Sequence, residues 1–414
     1  MAERAFPVID CDGHLIDSIA EMAEFMEPAA MEGQRRHDPL AKNDSTLRAI
    51  RSITRIPLHR SGRKQMASKN SKLPNQRARK LAMGLALMPL LLSSHALAAN
   101  EIGGKPEKTE IIVSYPSPSG AFTPIWVAYD AGFFKKYGLD AKLQLLNPQV
   151  STQAVVSEGV DISPVAPDLM NARLRGAPTR IFGSTLHQFV FELWAIKQIA
   201  DVQDLKGKTV ALTTPRSALD ISTREALKKS GLIPDKDVKF LYVQTVPAIL
   251  TSVMTGKTPA GSLSAPNTLK ARDAGLNLVV DIAKLNIPGF QVAYGTTERY
   301  LKSNPNTIYA FLKAIAEGVV LSKKDPVIAK RAIVKYAQID EPPMVDATYD
   351  AFAPYWEMGL AVRAETVQAH LGYADEKEFP QAKNADAKDF FDNSFVNNLE
   401  RSGFFKQVGL ERQK

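Results

Sequence analysis

Short strand patterns alternate with helix patterns along residues 111–297, with only a few residues between one element and the next. The first strand, at residues 111–115, leads through the loop SPSGAF into a helix that begins with Thr123 and Pro124, a favoured N-cap and a favoured first helical residue. This alternation predicts a parallel α/β sheet. A second run of comparable length begins at Asp204, so the sequence predicts two α/β lobes with a ligand-sized cleft between them.

The chain beyond residue 306 is predicted to be helical. The helices are expected near residues 306–322, 326–336, 343–356, 364–371 and 387–401. Apolar residues recur at three- and four-residue spacing from Tyr309 to Val319, which is typical of a helix that packs one face against a core.

A secretory signal is indicated at residues 77–99, RARKLAMGLALMPLLLSSHALAA. Basic residues precede an apolar run, and Ala96-Leu97-Ala98 provides the small residues of a signal-peptidase site. The apolar run is shorter than the about 20 residues that span a bilayer. We therefore predict cleavage, a mature chain that starts near Ala99, and export to the periplasm. No cysteine follows the run, so no lipid anchor is expected.

Residues 1–76 precede this signal and are predicted to be a disordered leader or a fusion fragment, because residues 34–76 are rich in Arg and Lys and show no regular period. Met66 heads an ordinary signal n-region and is the expected start of translation. In residues 1–33, the stretch VIDCDGHLID resembles the opening of the metal-dependent amidohydrolases. One strand cannot assemble a metal site, so Asp12 and His14 are interpreted as a fragment without catalytic competence.

Charge and cysteine content exclude several classes of function. Residues 1–98 contribute +5 of the formal net charge of +8, and the rest of the chain has no basic stripe interleaved with aromatic residues, so no nucleic-acid partner is predicted. The single cysteine, Cys11, lies in the leader, which excludes disulfides and Cys-ligated metals from the mature chain. With His187 and His370 as its only histidines, we predict no metal site and no cofactor.

One place is a candidate for ligand contact on local sequence alone. The SPSGAF loop joins a strand to a helix N-terminus, where an anion or polar head group can bind, although such a loop is in most proteins only a turn. In the second run, Ser217 and Asp220 form a capping pair at the start of a helix.

The stretch SYPSPSGAFTPIWVAYDAGFFKKYGLD resembles the substrate-binding proteins of ABC transporters of the sulfonate, nitrate and taurine type, a family that also includes pyrimidine-precursor binders of thiamine metabolism. The resemblance continues through VVSEGVDIS, NARLRGA, DLKGKTVAL, LKKSGLIPDKDVKF, LKARDAG and ERYLKSNPNTIYAFLKAIAEG. It implies a type II-like, two-lobed periplasmic-binding-protein fold with a double crossover and a helical C-terminus. Lobe 1 would comprise residues 108–195 and 285–414, and lobe 2 residues 196–284, with hinge strands near residues 196 and 285.

The resemblance also implies ligand contacts, which by position are Ser117, Ser119, Gly120, Phe122, Asp168, Gln188, Phe189, Arg216, Ser217, Asp220, Ser264 and Pro266. Arg216 lies beside a helix N-terminus, so its guanidinium could clamp a sulfonate or carboxylate, or it could be a solvated surface residue. Two stretches depart from the family pattern. SPVAPDLM, after the third strand, carries Asp168, which would repel a sulfonate or require a partner cation. MTGKTPAGSLSAP lacks the acidic residue that usually precedes the strand, so we expect a weakened strand in lobe 2.

The predicted function is that of the solute-binding component of an ABC importer, not an enzyme. It would capture a small organic solute such as a sulfonate, taurine, nitrate or a related anion, and deliver it as a monomer to an inner-membrane permease. The alternative is an enzyme. A hydrolase of the amidohydrolase kind would need more metal ligands, and a thiamine-precursor synthase on this fold would need a cysteine-rich motif that the mature chain lacks. No G-x-S-x-G nucleophile motif is present.

Overall fold

The computed structural model describes residues 103–410, together with the backbone of two short strands near the start of the chain. These strands, β1 (Val8–Ile9) and β2 (Leu15–Ile16), pair antiparallel. The chain forms two compact units, Met1–Leu92 and Ser93–Lys414. The predicted leader, signal peptide and start at Met66, and the side chains of Asp12 and His14, lie outside the described residues.

The first lobe of the second unit is built on two strand pairs. One pair is parallel and the other antiparallel: β3 (Glu110–Tyr115) with β4 (Asp140–Leu145), and β5 (Thr179–Gln188) with β11 (Pro288–Thr297). Single bridges connect the pairs, from Ile162 to β3 and from Ser163 and Val165 to β11. The pattern VDISPVA at residues 160–166 predicts a full third strand here, but Pro164 has no N–H to donate to a ladder, so the pairing is limited to isolated bridges.

The second lobe holds one five-stranded sheet with the order β10-β6-β9-β7-β8. Its strands are β6 (Glu192–Ala195), β7 (Thr209–Leu212), β8 (Lys239–Tyr242), β9 (Ala260–Leu263) and β10 (Asn277–Asp281). β7 pairs parallel with β8 and β9, whereas β6 pairs antiparallel with β9 and β10. The parallel pairing predicted from the alternating pattern is therefore limited to β7, β8 and β9. The two strands next to the crossovers, β6 and β10, do not follow it, because β6 pairs antiparallel with both β9 and β10.

Two features of the second lobe differ from the sequence-based expectation. β6 pairs along its whole length with β9, so residues 192–195 pack in the second lobe although the predicted boundary lies at residue 195. β9 is fully buried and lies in the middle of the sheet, which contradicts the weakened strand expected there. Gly261 lets β9 pack closely against a helix on one face of the sheet. A Cβ at this position would lie 2.3 Å from the Ile249 side chain, so only a residue without a side chain fits under this helix.

The helices cover both lobes and form the end of the chain. In chain order they are α1 (Thr123–Asp130), α2 (Phe133–Lys136), α3 (Pro148–Val156), α4 (Ala166–Leu174), α5 (Ala218–Lys229), α6 (Val246–Met254), α7 (Asn267–Asp273), α8 (Glu298–Ser303), α9 (Pro305–Lys324), α10 (Pro326–Ala337), α11 (Pro342–Phe352), α12 (Ala364–Tyr373), α13 (Ser394–Arg401) and α14 (Phe404–Val408). Within residues 103–410, no helix has both the length and the apolar character needed to cross a bilayer. The helix predicted at residues 387–401 is a short 3-10 turn followed by α13.

Each lobe has its own large apolar core. In the first, the apolar face predicted for the long C-terminal helix is buried, and α9 packs against α1, where Trp126 is fully enclosed. In the second, the central strands and α5 to α7 enclose a separate cluster that includes Leu212 and Leu227. Two separate cores are what allow the lobes to move as units about the segments that join them.

Two crossover segments, residues 189–191 and 282–287, connect the lobes. Gln188 donates its side-chain amide to the carbonyl of Ala283 at 2.6 Å, which ties one crossover to the other. Phe189 is buried against Gly289, where a Cβ would lie 2.0 Å from the aromatic ring. The two crossovers are therefore packed as one connection.

Candidate functional site

A small cavity lies between the two lobes and has a volume of about 50 Å³. We call it the cleft cavity. Its walls are mainly apolar and include Pro116, Phe122, Pro148, Pro164, Val165, Pro167, Phe191, Ala218, Leu219 and Val246. Its polar groups are the hydroxyls of Ser117, Ser119, Thr213, Ser217 and Ser264, the amide of Gln291 and the carboxyl of Asp168. A site that is mainly apolar with a few fixed polar groups is typical of small-molecule binding.

Helix N-termini fix the hydroxyls on both sides of the cavity. Ser119 accepts from the backbone N–H of Ala121 at 3.4 Å, just before α1. On the opposite lobe, Ser217 caps α5 and its hydroxyl donates to the carbonyl of Thr214 at 2.9 Å. Because these bonds are made within each lobe, the hydroxyls keep their positions when the lobes separate.

Asp168 is the only charged side chain among the residues that line the cleft cavity. It lies in the first turn of α4 and is 8% exposed. Burial raises the pKa of its carboxyl well above the usual range, and the charge of Asp220 raises it further. The hydrogen bond from its own backbone N–H and the charge of Arg175 oppose this rise in pKa. Within residues 103–410 its carboxyl has no side-chain hydrogen-bond partner, so it remains available to a ligand.

The structure brings six of the twelve predicted contact residues to the cleft cavity: Ser117, Ser119, Phe122, Asp168, Ser217 and Ser264. These residues come from the loop after β3, from the start of α4, from the start of α5 and from the end of β9. Each follows a strand or begins a helix, which is the local signal that the sequence shows. The positions of these six residues make them candidate ligand contacts.

Three predicted contacts lie in the lobe packing or the hinge instead. Gly120 packs against α11, where a Cβ would lie 2.7 Å from the Phe352 ring, and its N–H donates across the cleft to the carbonyl of Ala265 at 3.3 Å. Gln188 and Phe189 serve the crossovers as described above. These residues support the cleft but do not line it.

The other three predicted contacts lie in the second lobe outside the cavity. Asp220 is buried within its lobe and accepts from Arg224 at 2.8 Å and from the Arg216 backbone N–H at 2.6 Å. Pro266 precedes α7 and is absent from the cavity wall. Arg216 has a φ of +63°, and its guanidinium is ion-paired with Glu378. It therefore offers no clamp to an anion in the cleft cavity.

The sequence reasoning missed several wall residues. Thr213 directly follows β7, Val246 is the first residue of α6, and Gln291 follows the second crossover. The end of the strand pattern and the helix-start signal could have identified the first two. Gln291 sits in a continuous strand pattern and has no local signal, because its place in the wall is decided by how the two lobes face each other.

An ion-pair cluster joins the lobes beside the cavity. Arg175 from the first lobe and Arg216 from the second both contact the Glu378 carboxylate and both lie over the Phe379 ring, at 4.9 and 5.5 Å from its centroid. The Asn171 side chain also donates to the Arg216 carbonyl at 3.2 Å. We call Arg175, Arg216 and Glu378 the inter-lobe clasp. The contacts of Arg216 with Glu378, Phe379 and Asn171 exist only while the lobes face each other, whereas Arg175 and Glu378 belong to the same lobe.

Charge reversal of the clasp is expected to open the cleft. Arg216→Glu places two carboxylates together, and the closed fraction of the ligand-free protein should fall about fivefold, as expected for a partly exposed pair worth about 1 kcal/mol. Small-angle scattering should show a larger radius of gyration. Adding Glu378→Arg restores an opposite-charge pair between positions 216 and 378 across the lobes, although it removes the Arg175–Glu378 pair within the first lobe, and should reverse most of the change. Arg299→Glu, which breaks an exposed pair with Glu158 within one lobe, serves as the control. An equal expansion in the control variant would contradict a clasp.

Within residues 103–410 no group of three or more His, Cys, Asp or Glu side chains is placed to hold a metal ion. His370 is fully buried, and burial lowers its pKa to about 4, so it is neutral at ordinary pH. His187 lies 3.1 Å from Glu357, away from the cleft cavity. Neither histidine belongs to the candidate site.

Comparisons with solved structures agree with the fold described above. The chain is similar to the alkanesulfonate-binding protein SsuA from Xanthomonas axonopodis pv. citri, with a TM-score of 0.59 and 17% identity over 70% of this chain and 99% of that one. It is also similar to the nitrate-binding protein NrtA from Synechocystis PCC 6803, with a TM-score of 0.59 and 16% identity over 72% and 90% of the two chains. The predicted two-lobed periplasmic-binding-protein fold is confirmed.

Curated relatives come from a different functional group. Saccharomyces cerevisiae THI12 and THI5, each named 4-amino-5-hydroxymethyl-2-methylpyrimidine phosphate synthase, are 27% identical over 237 residues, which is 53% of this chain and 68% of theirs. The prediction that the chain is not an enzyme is contradicted by these names. It rested on the absence of a cysteine-rich motif, of enough histidines for a metal site and of a G-x-S-x-G motif, and such absences do not separate binders from enzymes on one fold.

A protein-family model described as NMT1/THI5 like matches residues 119–329, from the first cleft loop into α10. This range includes both crossovers and every residue that lines the cleft cavity except Pro116 and Ser117. The match covers just over half of the chain and agrees with the resemblance seen in the sequence. The protein belongs to the NMT1/THI5-like family.

Proposed function

We propose that the protein binds a small heterocycle of the aminopyrimidine class between its two lobes. The observation that carries this proposal is Asp168, whose carboxyl is the only charged group among the residues that line the cavity and has no side-chain hydrogen-bond partner within residues 103–410. A ligand with N–H donors satisfies such a carboxyl and places its flat apolar ring against the proline and phenylalanine walls. The relatives named as aminopyrimidine phosphate synthases support the same ligand class.

The cavity chemistry disfavours the anions that the sequence resemblance implies. A sulfonate or nitrate next to Asp168 would meet a like charge or force the carboxyl to stay protonated. Arg216 is held by Glu378 outside the cavity, and no Lys, Arg or His lines the cavity wall. We therefore prefer a neutral or cationic solute to sulfonate, taurine or nitrate.

As a role in the cell, we propose solute capture for an ABC importer. The likeness of the fold to sulfonate- and nitrate-binding proteins supports this role, and the predicted signal at residues 77–99 supports its location in the periplasm. The lobes would close on the solute and present it to an inner-membrane permease.

The second candidate is a step in the synthesis of a pyrimidine phosphate, favoured by the names of the curated relatives. The two roles predict different growth phenotypes. In a strain that cannot make the pyrimidine, a synthase restores growth in medium without it. A binding protein restores efficient growth only when low concentrations of the pyrimidine are supplied outside the cell.

The binding proposal is tested with the purified full chain and a panel of solutes. We expect 4-amino-5-hydroxymethyl-2-methylpyrimidine to raise the unfolding temperature, by an amount that corresponds to about 2.7 kcal/mol at a hundredfold excess over the dissociation constant. Taurine, ethanesulfonate and nitrate at the same concentrations should leave it unchanged. Stabilisation by an anion, with none by the pyrimidine, would overturn the proposed ligand class.

A further inference from the structure

Gln291 is a buried polar residue of the cavity wall to which the resemblance assigned no role. It lies on β11, just after the second crossover, and its side chain is 6% exposed. It contributes the only side-chain amide among the residues that line the cleft cavity. A buried amide with an open hydrogen-bonding position is costly unless something satisfies it.

The orientation of this amide is determined by the first crossover. The backbone N–H of Val190 donates to the Gln291 Oε1 at 2.5 Å. Because an N–H can bond only the oxygen end of the amide, the Nε2 end points away from Val190. Within residues 103–410, Nε2 makes no hydrogen bond to an acceptor. Gln291 therefore has both N–H donors of Nε2 available to a ligand, while its Oε1 already accepts the bond from Val190.

Asp168 provides the complementary group in the same cavity. Its carboxyl accepts hydrogen bonds and has no side-chain partner in the described part of the chain. Asp168 and Gln291 line the same cavity, so one ligand bound there can contact both residues. The ligand that satisfies both must present a donor and an acceptor on one edge, as an amino group next to a ring nitrogen does.

We propose that Gln291 is a specificity-determining residue, which donates from Nε2 to a ring nitrogen of the ligand while the adjacent amino group of the ligand donates to Asp168. The ligand class is then narrowed to compounds with an amidine-like edge. This inference rests on the proposed function. Since the same amide holds Val190 through its oxygen, a bound ligand is connected to the first crossover through one side chain.

A matched ligand pair tests this role without any mutation. 4-Amino-2-methylpyrimidine has the amino group and ring nitrogens, and 3-methylaniline has the same shape and amino group but no ring nitrogen. Titration calorimetry on the full chain, at a pH at which both rings are neutral, should give at least tenfold tighter binding of the pyrimidine. Equal affinities for the two compounds would overturn the role of Gln291 while leaving the cavity as the binding site.

Two variants of Gln291 test whether this residue causes the preference for the pyrimidine over 3-methylaniline. Gln291→Met keeps the length of the side chain but removes the donor, so the preference should fall to about twofold or less with little change in the affinity for 3-methylaniline. Gln291→Glu retains an oxygen for Val190 and provides a second variant if the first does not fold. A preference that survives both substitutions overturns the inference. If neither compound binds the unmodified chain, the proposed function itself fails.

Discussion

Asp168→Asn is expected to weaken aminopyrimidine binding about tenfold and, at the same time, to raise the stability of the ligand-free protein at neutral pH. The loss of affinity follows from replacing a charged acceptor with a neutral one, since hydrogen bonds to charged groups contribute about 1.5–3 kcal/mol. Titration calorimetry measures the first effect, and thermal unfolding measures the second. An unchanged affinity would show that Asp168 does not contact the ligand.

The gain in stability depends on pH, and its sign follows from the raised pKa. The folded protein binds the Asp168 proton more tightly than the unfolded chain, in which the pKa is near the ordinary 3.8. The free energy of unfolding should therefore fall as the pH rises from this value through the raised pKa. Asparagine does not titrate, so the variant should lose this part of the pH dependence. At pH values above the raised pKa of Asp168, its unfolding temperature should be a few degrees higher than that of the unmodified protein.

Asp220→Asn is the matched control for this variant. Burial also raises the pKa of Asp220, but its carboxylate is paired with Arg224 at 2.8 Å and accepts the Arg216 backbone N–H at 2.6 Å. Removing its charge takes one of two carboxylate partners from the half-buried Arg224 and weakens a buried hydrogen-bond network, so this substitution should lower stability. Opposite changes in unfolding temperature at the two aspartates are the expected result. A rise at both positions would mean that burial alone decides the effect, whether or not the carboxylate is paired.

Gly318→Val is expected to destabilise the first lobe by about 3 kcal/mol and to impair binding. Gly318 lies in α9 where it crosses α1, and a Cβ there would lie 2.3 Å from the carbonyl oxygen of Pro124 and 2.8 Å from the Ala128 Cβ. The first of these atoms is backbone, so α1 itself must move. Because Phe122 adjoins the start of α1, that movement also disturbs the cavity wall.

Urea denaturation of the two valine variants Gly318→Val and Gly372→Val tests this expectation. Gly372 lies in α12, and nothing would lie within 4 Å of a Cβ at that position. The same substitution there should change the free energy of unfolding by less than about 0.5 kcal/mol. Equal losses at both positions would mean that helix propensity, rather than the contact between α1 and α9, decides the effect.

The candidate site was predictable where it is built from local signals. Ser119 and Ser217 are helix caps that follow strands, and their hydroxyls line the cavity for that reason. Arg216 has an equally strong local signal beside the same helix, yet its positive φ and its contact with Glu378 place it outside the cavity. Glu378 lies 162 residues further along the chain, so the residues around Arg216 give no indication of this ion pair.

The amino-acid sequence by itself determined the alternation of strands and helices, the caps that begin α1 and α5, and the apolar face of α9, because these depend on periodicity and on turn residues within a few positions. Only the tertiary structure decided that β6 joins the second sheet, that Gln188 ties the crossovers together, and that Gln291 meets Asp168 in one cavity. These three contacts join segments that are far apart in the sequence, and they depend on how the two lobes pack against each other. Packing between distant segments is not encoded in the local residue pattern.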